Sequence, residues 1–210
     1  EIDSLVDEAI NEWLADSDPT SQTMLSQTTQ KPPSTKEVEE YLQHLIQSDR
    51  KSTALKELQG IIWKQGYLSG ELISPLFSDV CKQLDHWKRK EITLAVYSSG
   101  SIQAQKLLYA HTSEGDLTGR FDHWFDTRTG PKLAHQSYTI IAQKLGVQSN
   151  QVLFISDHPG ECDAAWQSGM NTVFCLREGN PHQDPGEHAV VQQLCDIDLE
   201  KINAAHNNQR

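Results

Sequence analysis

QVLFIS, residues 151–156, is the clearest strand in this sequence, and Asp157 follows it directly. A short, continuous apolar run of this kind is typical of a strand that is buried on both faces of a sheet. The segment after it has helical character and stops at Gly169, where the next apolar run, NTVFCL at 171–176, begins. A strand, a helix and a second strand in this order predict a parallel arrangement.

The same alternation extends towards the N-terminus. ITLAVY at 92–97 is a short β-rich run, and a helix that Ser101 can cap follows it. FDHWFD at 121–126 predicts a further short strand, and a helix from about residue 134 to 145 ends at Gly146. We therefore predict an α/β fold over residues 76–210, a doubly wound parallel sheet with helices on both faces.

Residues 1–75 have a different pattern and predict a small, all-helical unit. Apolar residues recur at helical spacing over 2–14, and Ser34 with Glu37 forms a capping-box pattern at the start of a later helix. Between them, residues 16–35 are rich in Ser, Thr, Gln and Pro and almost free of apolar residues. This composition predicts a mobile loop around 16–35.

Composition excludes several classes of function. The formal net charge is −11, whereas nucleic-acid binders need a basic surface. No run approaches the roughly 18 apolar residues that span a bilayer. We expect a cytoplasmic protein with reduced thiols, because its four cysteines form no CxxC pair and show no zinc-binding spacing: Cys81, Cys162, Cys175 and Cys195.

The first candidate site is Ser98-Ser99-Gly100-Ser101, directly after ITLAVY and at the start of a helix. Hydroxyl groups, a flexible glycine and the free N–H groups of a helix N-terminus together suit a phosphate. A plain turn with a serine cap accounts for the same residues if they are taken alone.

The second candidate is Lys132, in the TRTGPK loop. Its ammonium group is a point charge for a phosphoryl oxygen if it reaches the pocket, although a lysine on such a loop is commonly just solvated.

The third candidate is Asp157, at the tip of the clearest strand. A carboxylate in this position is costly unless it is paired or binds a metal, and hard oxygen ligands suit Mg²⁺. Glu161 and Asp163 follow closely, and capping of the next helix accounts for both. We predict Asp157 as a Mg²⁺ ligand, with Glu161 as a possible neighbour of the metal outside its direct ligands.

Ser98, Lys132 and Asp157, in this order and at strand ends, resemble the site of the haloacid dehalogenase superfamily of phosphohydrolases. The sequence most resembles the enolase-phosphatase (acireductone synthase) branch of this superfamily, over roughly residues 37–180. The segments that carry the resemblance are DRKSTALKELQGIIWKQGY, YSSGSIQAQKLL, SEGDLTGRFDHWFDTRTGPK and VLFISDHPGECDAAWQSGMNTVFCLREGN.

The resemblance implies an activity and a set of roles. Enzymes of this branch convert 2,3-diketo-5-methylthiopentyl-1-phosphate to an acireductone and phosphate in methionine salvage, with Mg²⁺ as cofactor. By this resemblance, Ser98 and Ser99 bind the substrate phosphate, Lys132 binds the phosphoryl group as a catalytic residue, and Asp157 holds Mg²⁺. The resemblance also implies a helical cap on the core, a monomeric protein and a small phosphorylated diketone as the substrate.

One family motif is absent from the sequence. The family's first strand ends in Asp-x-Glu-Gly-Thr, whose first Asp is the nucleophile, and no such segment occurs here. In the family this strand lies in the middle of the sheet, between the strands that here end at Ser98 and Ser156. We therefore expect the chain as written to lack its central first strand and to be inactive as a phosphatase.

Three explanations for the absent motif remain open. A stretch of about 40 N-terminal residues precedes this sequence, the segment is a separate piece, or the chain is a degenerate relative. Two other functions also remain open: a non-catalytic relative that binds a phosphorylated ligand or a partner, and a sugar-phosphate phosphatase of the same superfamily.

Overall fold

A computed structural model of the protein describes residues 2–200. The chain divides into two compact units, and the division falls after Leu72. None of the helices within the described residues is long and apolar enough to cross a membrane. Each unit has a hydrophobic core of its own.

The first unit is all-helical, as the sequence pattern predicts. Trp13 lies at the centre of its core, where it is 1% exposed and stacks on Tyr41 with ring centroids 4.7 Å apart. Leu45 and Val38 pack in the same cluster. The helices of this unit are α1 (Ile2–Ala15), α2 (Pro19–Ser26), α3 (Thr35–Gln47) and α4 (Thr53–Ser69).

The prediction of a loop around 16–35 is wrong for Pro19–Ser26, which is helix α2. The Asp18 side chain accepts hydrogen bonds from the first-turn amides of Thr20 and Ser21. Ser21 is fully buried, and its carbonyl accepts a hydrogen bond of 2.9 Å from Trp13 Nε1. Capping and one buried contact stabilise this helix. Because neither requires a stripe of apolar residues, the hydrophobic pattern of the sequence does not predict the helix.

The capping box at the start of α3 is confirmed. Glu37 Oε2 accepts from the backbone N–H of Ser34, and Ser34 Oγ accepts in turn from the backbone N–H of Glu37. Hydrogen bonds from Ser34 and Thr29 lower the pKa of Glu37 to about 2. The carboxylate therefore remains ionised and capped throughout the physiological range of pH.

The second unit alternates helices with short strands. Its helices are α5 (Val80–Arg89), α6 (Ile102–Ala110), α7 (His135–Leu145) and α8 (Pro159–Gln167). Its strands are β1 (Ala95–Tyr97), β2 (His123–Phe125), β3 (Leu153–Ser156), β4 (Asn171–Cys175) and β5 (Ala189–Val191).

Every strand pairing in this unit is parallel, which confirms the α/β fold. β1 pairs with β2, with Val96 opposite Trp124, while β3, β4 and β5 form a second sheet in this order. Within residues 2–200, the strands therefore form two sheets, and β1 and β3 each have only one paired edge.

Helices cover both faces of the β3 sheet, as a doubly wound fold requires. Successive side chains of a strand point to opposite faces, and those of β3 alternate between two core clusters. Phe154 packs with α7 and α8, while Leu153 and Ile155 pack with the cluster that includes Leu84 and Trp87 of α5.

Tyr138 of α7 packs across the interval between the two sheets. It is fully buried, and its ring makes edge contacts with Tyr97 of β1 at 5.6 Å and with Phe154 of β3 at 4.9 Å. The rings of Tyr97 and Phe154 are therefore at most about 10.5 Å apart. Helix α7 thus contacts both β1 and β3 through one side chain.

We expect Tyr138→Ala to destabilise the second unit strongly, because it removes the ring that contacts both sheets. The free energy of unfolding, measured by urea denaturation, should fall by about 3 to 5 kcal/mol. Tyr138→Phe is the matched control, since it keeps the ring and loses only a hydrogen bond, at a cost of about 1 kcal/mol. Equal losses for the two variants would show that the ring does not join the sheets.

Candidate active site

Buried hydrogen bonds hold the backbone of the loop that follows β1. The Ser98 backbone N–H donates to the Phe125 carbonyl at 3.2 Å, and Ser98 Oγ accepts from the Gly100 N–H at 3.2 Å. Gln105, which is 5% exposed, donates through Nε2 to the carbonyls of Gly100 and Phe125, both at 2.8 Å. These contacts fix the backbone of 98–101 and leave the side chain of Ser99 exposed.

Ser101 caps α6 as predicted, because its Oγ accepts from the Ala104 N–H at 3.2 Å. Within the described part of the chain, no protein acceptor bonds the backbone N–H groups of Ser99 and Ser101. Two amides at the N-terminus of a helix, beside the serine hydroxyls, remain available to an anion.

The loop from 126 to 132 is held by three hydroxyl groups. Tyr97 donates to the Gly130 carbonyl at 2.8 Å, Ser137 to the Pro131 carbonyl at 2.7 Å, and Tyr138 to the Lys132 carbonyl at 2.7 Å. Gly130 has a φ of 146°, and a Cβ at this position would collide with Ser137 Oγ. The loop therefore has one well-defined path that ends at Lys132.

Lys132 connects the two sheets electrostatically. Its Nζ lies 2.6 Å from Glu161 Oε1, and Glu161 Oε2 accepts a hydrogen bond of 2.9 Å from Ser156 Oγ at the end of β3. The same Nζ lies 5.9 Å from the centre of the Tyr97 ring. Glu161 is 9% exposed, so this ammonium group is oriented by a buried carboxylate.

The structure thus pairs Glu161 with Lys132, and the place of Glu161 beside the metal stays a prediction. The structure also brings Lys132 to the ends of both β1 and β3. Asp163 lies elsewhere, since its carboxylate contacts His188 Nε2 at 3.0 Å and is largely exposed.

Asp157 follows β3 and is half-buried, and no other group among residues 2–200 donates a hydrogen bond to its carboxylate. A half-buried carboxylate without a donor fits a cation. These described residues contain no cluster of three or more metal-binding side chains. Mg²⁺ commonly binds one or two carboxylates and takes its other ligands from water and phosphate, so Asp157 fits as one ligand of such a site.

Asp126 and Arg128 are not among the residues predicted from the sequence. Asp126 follows β2 directly and has a buried carboxylate, which accepts from Arg128 Nε at 2.9 Å and from the Ile102 N–H at 3.4 Å, while Arg128 Nη2 lies 2.7 Å from it. The Arg128 guanidinium lowers the pKa of Asp126 and keeps it ionised. The strand-end rule that selected Ser98 and Asp157 applies equally to Asp126 and could have identified it.

We expect the Asp126 carboxylate to stabilise the fold in a pH-dependent way. Its pKa is lowered in the folded state, so its contribution is complete above the unfolded value of about 3.9 and is lost as the pH falls through the folded value. Asp126→Asn should therefore lower the free energy of unfolding at pH 7, and its difference from wild type should shrink below about pH 4.

Urea denaturation at pH 7 and pH 3 measures this difference. Glu178→Gln, on an exposed loop, is the control and should match wild type at both values. A deficit of Asp126→Asn that is as large at pH 3 as at pH 7 would contradict the assignment.

Comparison with known proteins identifies the family. The family model for haloacid dehalogenase-like hydrolases matches residues 3–169. Enolase-phosphatase E1 of Synechococcus sp. (strain WH7803) is 56% identical over 199 residues, which cover 94% of this chain and 82% of that protein. Enolase-phosphatase E1 of Prochlorococcus marinus (strain MIT 9313) is 49% identical over 197 residues, with coverage of 92% and 80%.

A solved structure is similar as well. The crystal structure of the UTR4 protein of Saccharomyces cerevisiae superposes with a TM-score of 0.69 at 30% identity, over 93% of this chain and 90% of that one. The sequence matches, the parallel α/β core and the UTR4 likeness agree. The chain belongs to the haloacid dehalogenase-like hydrolases, in the family of the enolase-phosphatase E1 proteins.

Proposed function

We propose that this chain forms the phosphate- and metal-binding side of an enolase-phosphatase active site. The substrate would be 2,3-diketo-5-methylthiopentyl-1-phosphate, and the products the acireductone and phosphate of methionine salvage. The observation that carries the proposal is the contact between Lys132 and Glu161, at 2.6 Å. It joins the loop after β2 to the end of β3, so that a phosphate group can meet Ser98, Lys132 and Asp157 together.

Ser98 and Ser99 have the geometry for the phosphoryl oxygens. The fixed backbone of 98–101 presents the exposed Ser99 hydroxyl and free amides at the N-terminus of α6. A dianionic phosphate would gain charge-assisted hydrogen bonds from these donors, which need no rearrangement to accept it.

Lys132 supplies the positive charge. Glu161 and the Lys132 carbonyl contact with Tyr138 restrict its position, so its ammonium group is directed along the edge of the sheets. A fixed ammonium group beside a transferring phosphoryl group stabilises the charge that develops there.

Asp157 would hold Mg²⁺, and bound Mg²⁺ would neutralise phosphoryl charge and polarise the neighbouring substrate carbonyl. Two features support this role: the carboxylate is half-buried, and no other described group hydrogen-bonds it. Because Glu161 is committed to Lys132, Asp157 remains the carboxylate of β3 that is available to a cation.

The nucleophile must come from another carboxylate. Asp126 and Asp157 follow strands of this site, but Asp126 is bonded to Arg128 and Ile102, and Asp157 is assigned to the metal. Covalent phosphoryl transfer needs a free carboxylate in line with phosphorus. The unpaired edges of β1 and β3 support a further strand as its source, and we propose that residues 1–210 alone bind phosphate without hydrolysing the ester.

The test compares residues 1–210 with a version that is extended at its N-terminus by a strand ending in Asp-x-Glu-Gly-Thr. With Mg²⁺ and the diketone phosphate, the extended chain should release phosphate and form an enol intermediate that absorbs in the ultraviolet. Residues 1–210 alone should release none. Release from hexose phosphates without an enol signal would instead favour a sugar-phosphate phosphatase, and equal turnover by both chains would contradict the assignment of the nucleophile.

We expect Asp157→Asn in the extended chain to lose at least about 100-fold in kcat, since a neutral amide is a poor Mg²⁺ ligand. The fold should be retained, because the side chains are nearly the same size. Asp163→Asn, on the exposed side of α8, is the matched control and should keep most of the activity. Unchanged Mg²⁺ dependence in Asp157→Asn would show that Asp157 is not a ligand.

A further inference from the structure

We propose that Arg128 is a second cation for the substrate phosphoryl group, held in place by Asp126. This inference rests on the proposed function and adds a residue to the same site. Asp126 is buried at the end of β2, and Arg128 follows two residues later with a side chain that is 78% exposed. The buried carboxylate orients the Arg128 guanidinium, and the edge of the guanidinium that faces away from Asp126 is exposed to solvent.

The contact with Asp126 uses one edge of the guanidinium. Arg128 Nε donates to both carboxylate oxygens, at 2.9 and 3.2 Å, and Nη2 lies 2.7 Å from Oδ2. No other acceptor within residues 2–200 bonds the guanidinium, so Nη1 and the second N–H of Nη2 remain available. Two parallel N–H groups of this kind match a pair of phosphate oxygens.

The position of Arg128 relative to the anion pocket follows from a shared oxygen. Arg128 Nη2 lies 2.7 Å from Asp126 Oδ2, and the same oxygen accepts from the Ile102 N–H at 3.4 Å. Nη2 is therefore at most about 6 Å from the first amide of α6, the helix N-terminus to which a phosphate would bind. The proposal places the outer edge of Arg128 against a phosphate at this helix N-terminus.

Charge gives a second reason for this role. The protein has a net charge of −11, and the Asp126 carboxylate accepts from the first amide of α6, the helix N-terminus proposed for the phosphate. Without Arg128, this carboxylate would repel the ligand. Arg128 neutralises it and at the same time directs further donors outward, so Asp126 acts as a positioning residue for Arg128. Arg128 itself contributes little to stability, because an ion pair with such an exposed partner is weak; the stabilising effect of Asp126 depends also on the backbone N–H groups of Ile102 and Arg128 that donate to it.

The experiment measures the affinity of residues 1–210 for inorganic phosphate by calorimetry, with Mg²⁺ present, at pH 7.5 and constant ionic strength. Arg128→Met should raise the Kd about 10-fold or more, because a charge-assisted pair of hydrogen bonds is lost. Arg128→Lys should recover only part of the affinity, since lysine cannot offer two parallel donors. Arg89→Met, at the exposed end of α5, is the matched control and should leave the Kd unchanged.

The double variant Asp126→Asn/Arg128→Met distinguishes a direct contact between Arg128 and the phosphate from mere neutralisation of the Asp126 charge by Arg128. If Arg128 contacts the phosphate, affinity stays low after the Asp126 charge is removed. Recovery to the wild-type Kd would overturn the proposal, since Arg128 would then only mask Asp126. An unchanged Kd in Arg128→Met would also overturn the proposal. If Ser98→Ala and Lys132→Met still lose affinity for phosphate in that case, the proposed function stands without Arg128. If wild type binds no phosphate, both proposals fail.

Discussion

Tyr138 packs between Tyr97 and Phe154, and through this contact one helix joins two sheets whose strands, within residues 2–200, share no hydrogen bond. The consequence appears in the burial of the strands. All four residues of β3 are half-buried, whereas every residue of β4 except Thr172 is buried. An apolar strand with one unpaired edge leaves N–H and C=O groups without partners, which is costly in a protein interior. The contacts of Tyr138 in α7 therefore help to fix β1 relative to β3.

The site depends on the same spacing. The hydroxyl of Tyr138 fixes the carbonyl of Lys132, and the ammonium group of Lys132 reaches Glu161 beyond the end of β3. The residue that joins the sheets thus also aligns the lysine that joins the two sides of the site. Any change that separates β1 from β3 would also separate the loop at 98–101 from Asp157. In the proposed site, stability and phosphate binding are therefore linked through one aromatic side chain.

The strands and the strand-end residues could be predicted from the sequence because both depend on local pattern. Short apolar runs locate β1, β3 and β4, and the rule that parallel strands place their carboxyl ends on one edge selects Ser98 and Asp157. Helix α2 could not be predicted in this way, because capping by Asp18 and a tertiary contact to Trp13 stabilise it, and neither produces an apolar stripe.

The ion pairs of the site escaped prediction for a similar reason. Glu161 could have faced a metal, a helix N-terminus or a lysine, and only the path of the 126–132 loop decides between them. Asp126 and Arg128 are close in sequence, but their proposed role depends on the contact of Asp126 with Ile102, which lies 24 residues earlier in the chain. The strand-end rule could have located Asp126, but contacts between elements determine what Asp126 and Glu161 bind, and the local sequence does not encode those contacts.

The central claim is that residues from two separate sheets form one site for phosphate and Mg²⁺. Calorimetric titration of Mg²⁺ in the absence and presence of inorganic phosphate, corrected for complex formation in the buffer, tests it most directly. Two ligands that meet in one site must strengthen each other by the same factor. We predict that phosphate lowers the Kd for Mg²⁺ about 10-fold, and that Mg²⁺ lowers the Kd for phosphate equally. Independent binding of the two ions would contradict the account.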